Sequence, residues 1–136
     1  MLNKTKILFG TGNISKFKRL RTVTDDLPLE LLSLDDFNID IDIEEDGESV
    51  HENAIKKAQI YYSKCNIPTF SIDSGLYLDK LPEDRQPGLH VRRINGKRAT
   101  DKEMIAHYKK ELEKIGGESP GKWIYSFAFN LDEKIE

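Results

Sequence analysis

The chain has 136 residues, 38% of them hydrophobic and 33% charged, which describes one globular domain spanning 1–136 with enough length for a core of its own. No apolar run approaches the roughly 18 residues that cross a bilayer, so no membrane location is expected. A net charge of −3 argues against general nucleic-acid binding, and the single Cys65 cannot form an internal disulfide, which points to a reducing cytoplasm.

Lys6 to Phe9 is a short apolar run that predicts a first strand, and no small-residue cleavage site of a signal peptide follows it. From Asn13 to about Thr24 the spacing of Ile14, Phe17, Leu20 and Val23 predicts a helix. Leu29 to Leu34 fits a second strand. In the acidic stretch, Ile39, Ile41 and Ile43 alternate with Asp40, Asp42 and Glu44, the period of an exposed strand or extended arm.

Ser49-Val-His-Glu52 has the form of a capping box, with the Ser oxygen accepting from the third amide and the Glu reaching back. Behind it Val50, Ala54, Ala58, Tyr61 and Cys65 share one face of a helix running to about Cys65. Thr69 to Leu81 reads as a strand, a Ser-Gly break and a second extended piece, and Pro82 to Gly88 as a polar loop. Thr100-Asp-Lys-Glu103 is a second capping box, opening a helix with a stripe of Ile105, Tyr108, Leu112 and Ile115 that Gly116-Gly117 closes. Trp123 to Leu131 is a strand with alternate aromatics, followed by a turn-like Asp132-Glu-Lys. Helices between strands predict a layered α/β domain.

Charge is unevenly placed. Residues 35 to 48 hold eight acids and no base, and residues 16 to 21 hold four bases and no acid, a division that suits a site handling anions and metal cations. Cations oppose the partial positive charge at a helix start, so Lys16, Lys18, Arg19 and Arg21 stand out on the opening helix. A strand, a Gly-rich turn and a helix start form a phosphate cradle, and a bound polyphosphate would supply the missing negative charge. Lys16, in the first turn, is best placed for it, while at least two of the others read as solvated surface.

The turn is not a Walker A loop. It comes near a dinucleotide fingerprint, with Ser15 where the third Gly belongs and Asp35 as a candidate ribose acid. Asp42-Ile-Glu44-Glu-Asp46-Gly47 imitates a calcium loop, but Asn53 falls at its twelfth position, so that reading is rejected. Most of these acids suit a solvated edge, and one or two would suffice for Mg²⁺, which takes one or two carboxylates plus substrate phosphates. Asp73, after Phe70 and Ile72 at a strand end and before Ser74-Gly75, stands where α/β folds bind ligands; the competing reading is a turn-capping Asp. His51, His90 and His107 share no ligand spacing and read as surface or helix-face residues. Cys65 reads as core.

Together these segments resemble the inosine-triphosphate pyrophosphatases. "FGTGNISK", Phe9 to Lys16, is similar to the family's T-G-N-x-x-K phosphate loop, and "EEDGESVHENAIKKA", Glu44 to Ala58, to its acidic-Gly stretch and E-N-A-x-x-K-A. "SIDSGL", Ser71 to Leu76, resembles D-D-S-G-L, and "QPGLHVRR" with "ATDKE" resembles P-G-[IV]-x-S-A-R and the following helix start. The resemblance implies a mixed α/β fold with a curved central sheet flanked by helices, and usually a homodimer. It implies Mg²⁺-dependent hydrolysis of non-standard purine nucleoside triphosphates (ITP, XTP, dITP) to monophosphate and pyrophosphate, by water attack at the α-phosphate. Carried over by position, Thr11, Gly12, Asn13 and Lys16 would hold the phosphates with Lys57. Glu45 would be a metal ligand, Asp73 the base or a metal ligand, and Ser74 a substrate contact. A non-catalytic nucleotide-binding module of the same fold is the alternative. Two departures bear on it. Ile72 replaces the first acid of the D-D pair, and the family's base-gripping Gly-Phe-Gly-Tyr-Asp-Pro loop and Ser-His-Arg segment do not occur in the 136 residues, so the C-terminal part of the family fold is expected to be absent.

Overall fold

The computed structural model describes residues 3–132. Two compact units make up the described residues: one of residues 3–73 with 126–132, the other of residues 74–125. Helices and strands follow in the order β1 (Thr5–Phe9), α1 (Ile14–Val23), β2 (Leu29–Leu32), α2 (Val50–Cys65), β3 (Thr69–Leu78), β4 (Arg93–Ile94), β5 (Lys97–Arg98), α3 (Asp101–Glu113) and β6 (Gly121–Asn130), with short 3₁₀ turns at Asp35–Phe37 and Glu83–Arg85. This is the expected mixed α/β fold with a central sheet. Four strands form it in the order β2-β1-β3-β6, with β1 parallel to both β2 and β3. Glu133 and Lys134 of the expected turn lie outside the described residues. Among the described residues no helix is long and apolar enough to cross a membrane.

In the first unit the strand alternation sends neighbours to opposite faces of the sheet. Leu8 clusters with Tyr61 of α2, Leu34 and Ile39, and Ala128 of β6 meets Ala54 and Ala58 of α2. On the other face Phe9 packs edge-on to Phe17 of α1 and to Phe70, and Phe70 stacks on Phe129. One helix therefore covers each face. The β1-to-β2 connection uses α1, while the connection to β3 uses α2 and crosses to the other side of β1. That reversal makes the C-terminal end of β1, where it runs beside β3, the switch point at which open α/β sheets bind ligands.

Helix α2 sits on β3 in matched steps. Residues four apart on a helix rise about 6 Å, and residues two apart on a strand about 6.6 Å. Accordingly Cys65 Sγ lies 3.3 Å from Thr69 Oγ1, Tyr61 and Ser71 both close on Gly10, and Lys57 reaches Asp73. The second unit holds the β4–β5 hairpin, turned by Asn95 and Gly96 at φ of 52° and 76°, and α3. The α3 cap is the expected reciprocal box between Thr100 and Glu103. Arg92 pairs with Asp101, and Arg85 with Glu111.

Several expectations are corrected. Ile14 and Val23 are 69% and 64% exposed, because residues strictly three apart rotate around a helix and only Phe17 and Leu20 face inward. Strand β2 ends at Leu32, where Ser33 donates its N–H and Oγ–H to Asp36 and starts the 3₁₀ turn. Of the exposed strand or extended arm expected from Ile39 onward, the arm is what forms: Ile39 is buried but Ile41 is exposed, and among the described residues no neighbouring strand pairs with residues 39 to 48. Strand β3 runs unbroken through Ser74-Gly75, and Asp73 lies at its middle instead of its end. Gly75 allows a close backbone approach, since an added Cβ would lie 3.1 Å from the Gly88 carbonyl, whose residue bridges to Leu76. On α3, Ile105 is 64% exposed, and Met104 takes the inward place beside Tyr108. Only half of the first capping box forms: Ser49 Oγ accepts from Glu52 N–H, but the Glu52 carboxylate takes the Glu48 amide.

Candidate active site

The site is built within the first unit, at the switch point between β1 and β3. After β1 the chain turns through Gly10-Thr-Gly-Asn13 into α1. Gly10 N–H donates to Phe70 O at 2.8 Å, and Ser71 Oγ donates to Gly10 O at 3.0 Å, so β3 pins the turn from both sides. A Cβ on Gly10 would lie 2.3 Å from the Tyr61 ring and 2.6 Å from Ser71 Oγ, whereas one on Gly12 would meet nothing within 4 Å. Gly10 is therefore a packing glycine, and Gly12 keeps the outer side of the turn open.

Thr11 Oγ1 accepts from Asn13 N–H at 3.1 Å, and Asn13 Oδ1 accepts from Lys16 N–H at 3.0 Å as the N-cap of α1. With each oxygen already accepting from the backbone, Thr11 still has its hydroxyl hydrogen and Asn13 its amide hydrogens to donate. No acid lies in the first turn of α1, and Lys16 does. The turn thus offers donors and positive charge, a setting for an anion.

Two residues beyond Ser71 on the same face of β3 lies Asp73, 5% exposed. Lys57, buried on α2, donates from Nζ to Glu45 Oε1 at 3.1 Å and to Ile72 O at 3.1 Å, and lies 3.8 Å from Asp73 Oδ1. Its ammonium therefore stands between a buried carboxylate and the half-exposed Glu45. Charge from the arm also reaches the turn. Burial pushes the Tyr61 phenol above its ordinary value, and the carboxylates of Glu45 and Asp42 push it the same way. Thr11, Asn13, Lys57, Glu45 and Asp73 thus share one end of one sheet. Ser74, next in the chain, is half-buried and opens the second unit.

Whether a divalent metal suits these residues is a question of donor chemistry. Glu45 and Asp73 are hard oxygen donors and already flank a cation, as a Mg²⁺ site requires. Among the described residues no group of three or more His, Cys, Asp or Glu is placed to hold a metal. The pair fits an ion whose remaining ligands are water and phosphate oxygens. Ile72 has no carboxylate where the resemblance would place one, and its backbone carbonyl accepts from Lys57.

Sequence reasoning missed Ser71, Tyr61, Asn53 and Gly47. Asn53 is 0% exposed in the first turns of α2, and its Oδ1 accepts from Gly47 N–H at 2.7 Å. The sequence signal for Asn53 is its place in the quoted E-N-A-x-x-K-A pattern, between Glu52 and Ala54.

Fold and site together define an α/β protein with a donor-lined strand-to-helix turn and a carboxylate pair at one switch point. The chain belongs to the Ham1 family, whose model matches residues 7–129. It is 34% identical to a dITP/XTP pyrophosphatase of Geobacter sulfurreducens over 93% of this chain and 69% of that one, and 30% identical to a dITP/XTP pyrophosphatase of Clostridium perfringens over 81% and 56%. Among solved structures, a HAM1 protein from Coxiella burnetii superposes with a TM-score of 0.75 at 30% identity, over 95% of this chain and 64% of that one. The chain thus spans between about half and two thirds of the length of these relatives.

Proposed function

We propose that the chain carries the phosphate- and metal-handling site of a nucleoside-triphosphate pyrophosphatase acting on ITP, XTP and dITP. The observation that carries this is the Lys57 ammonium between Glu45 and Asp73, in one unit with a turn that holds the Thr11 hydroxyl and the Asn13 amide as donors. The names of the Geobacter and Clostridium relatives support the substrate class.

In this reading Thr11, Gly12, Asn13 and Lys16 grip the phosphates at the start of α1, with Lys57 reaching them from α2 and Ser74 touching substrate. Glu45 and Asp73 would hold Mg²⁺, which when bound neutralises and polarises phosphate oxygens. Water attacks the α-phosphorus, the bond to the α–β bridging oxygen breaks, and pyrophosphate leaves. Asp73 accepts the water proton or acts as the second carboxylate on the metal; burial beside a cation suits either role. A homodimer working in the cytoplasm completes the proposal. Exposed apolar side chains such as Phe127 support the former and the single Cys65 the latter.

The test is pyrophosphate release from ITP, XTP and dITP with Mg²⁺. Release is expected to fall by about 10²-fold or more in Asp73→Asn. No release above that variant would overturn catalysis by this chain. A second reading, nucleotide binding without turnover, is favoured by Ile72 at the place of an acid. It predicts that ITP raises the melting temperature while no pyrophosphate appears.

A further inference from the structure

The arm that carries Glu45 lies antiparallel along the first two turns of α2, and the helix holds it residue by residue. Glu52 takes the Glu48 amide at 2.8 Å, and Asn53 takes the Gly47 amide at 2.7 Å. Lys56 Nζ donates to the Asp46 carboxylate at 2.7 Å and to Glu44 O at 2.9 Å, and Lys57 donates to Glu45. These contacts differ in weight. The Lys56–Asp46 pair is largely exposed and screened, and Glu52 is exposed. Asn53 is fully buried, so its hydrogen bond is made out of water and fixes the arm's height on the helix.

Gly47 answers Asn53 sterically. A Cβ there would lie 2.6 Å from Asn53 Oδ1 and 2.9 Å from Glu52 Cβ. The residue is not among those with positive φ, so glycine is required for closeness and not for backbone conformation. Gly47 is two residues from Glu45, and any lift of the arm off α2 carries the Glu45 carboxylate away from Lys57 and Asp73.

We propose that Asn53 and Gly47 form a buried clamp that seats the acidic arm on α2 and so positions the Glu45 carboxylate for a divalent cation. Asn53 is thus a positioning residue, acting on the metal through the arm. The metal half of the inference rests on the function proposed above.

The experiment uses the full chain and its Asn53→Ala, Gly47→Ala and double variants, with Mn²⁺ as the metal probe, each checked for folding by circular dichroism. Two readouts are taken: exchange of the backbone amide at position 47 by nuclear magnetic resonance without metal, and Mn²⁺ affinity in the presence of ITP. Loss of a partner behind a metal ligand typically weakens affinity about 10- to 100-fold. Asn53→Ala is expected to speed exchange at position 47 at least about tenfold and to weaken Mn²⁺ by about tenfold. Gly47→Ala, which displaces the arm from the other side, is expected to weaken Mn²⁺ by a similar factor. The double variant is expected to be no worse than the weaker single one, because both changes break one contact. Independent, multiplying losses would overturn the clamp, as would unchanged exchange at position 47 in folded Asn53→Ala. Wild-type protein that binds no Mn²⁺ with or without ITP overturns the function proposal and the metal half of this one, while exchange at position 47 still decides whether the clamp exists.

Discussion

Two glycines two residues apart in Gly10-Thr-Gly12 should respond to alanine in opposite ways. In Gly10→Ala the new methyl enters a space 2.3 Å from the Tyr61 ring and 2.6 Å from Ser71 Oγ. Neither neighbour can withdraw cheaply. Tyr61 is 5% exposed and packed in the cluster of Leu8, Leu34 and Ile39, and Ser71 is 0% exposed and bonded to the Gly10 carbonyl. Overpacking of this kind costs about 1–3 kcal/mol, and two rigid neighbours put it at the upper end, about 3 kcal/mol. With an unfolding entropy of about 2.1 cal/mol/K per residue, a chain of 136 residues loses about 3.5 °C per kcal/mol, so a fall of about 10 °C is expected. In Gly12→Ala the methyl meets nothing within 4 Å and the backbone has no positive φ, so the melting temperature should move by less than about 2 °C. Thermal melts followed by circular dichroism and by tyrosine fluorescence measure both. Equal losses in the two variants, or an unperturbed Gly10→Ala, would refute the assignment of Gly10 to packing and of Gly12 to the open side of the turn.

Asn13→Ala removes the side-chain acceptor for Lys16 N–H and should cost about 1 kcal/mol of stability by chemical denaturation, with ITP affinity falling as well. Thr100→Ala breaks the reciprocal box at the start of α3 and should cost about 1 kcal/mol, with hydrogen exchange rising first at residues 101–104 and ITP affinity unchanged. The Tyr61 phenol is raised by burial and then by Glu45 and Asp42, so its contribution to stability is whole below about pH 10 and drains away as the pH climbs through the higher folded value. Tyr61→Phe should therefore flatten the alkaline limb of the stability curve, measured by denaturant titration from pH 8 upward; an unchanged limb would count against that environment.

The helices were legible because their signals are local. The apolar face of α2 follows from spacing alone, and the burial of Val50, Ala54, Ala58 and Tyr61 agrees with it. Buried polar residues on the same helix were not legible from pattern. Asn53 and Lys57 read as hydrophilic, and only their partners across the fold, the Gly47 amide and the Asp73 carboxylate, explain why they face inward. The E-N-A-x-x-K-A pattern of the resemblance contains both residues, but it came with a role for Lys57 and none for Asn53. The alternation of Ile39, Ile41 and Ile43 left an exposed strand and an extended arm both open, because period two describes any extended chain and says nothing of a pairing neighbour. Ser74-Gly75 suggested a break because glycine usually marks one, whereas here glycine admits the Gly88 carbonyl beside a continuous strand. On β6 the large aromatics are exposed while Ala128 and Asn130 are buried, and at Ala128 the facing alanines of α2 leave room only for a small residue.

The cations that open α1 divide once the fold is known. Lys18, Arg19 and Arg21 are exposed and need no partner, while Lys16 is half-buried in the first turn. The two halves of the candidate site are also unequal in charge. The turn gathers donors and the positive end of a helix without an acid, and the arm and β3 bring two carboxylates around one ammonium. An anion alone would suit the first half and a divalent cation alone the second. A triphosphate carrying its own metal suits both at once, and its phosphates would draw Lys57 away from the carboxylates that the metal then takes. In that reading Lys57 has a place both in the apo site, between Glu45 and Asp73, and in the proposed complex, at the phosphates.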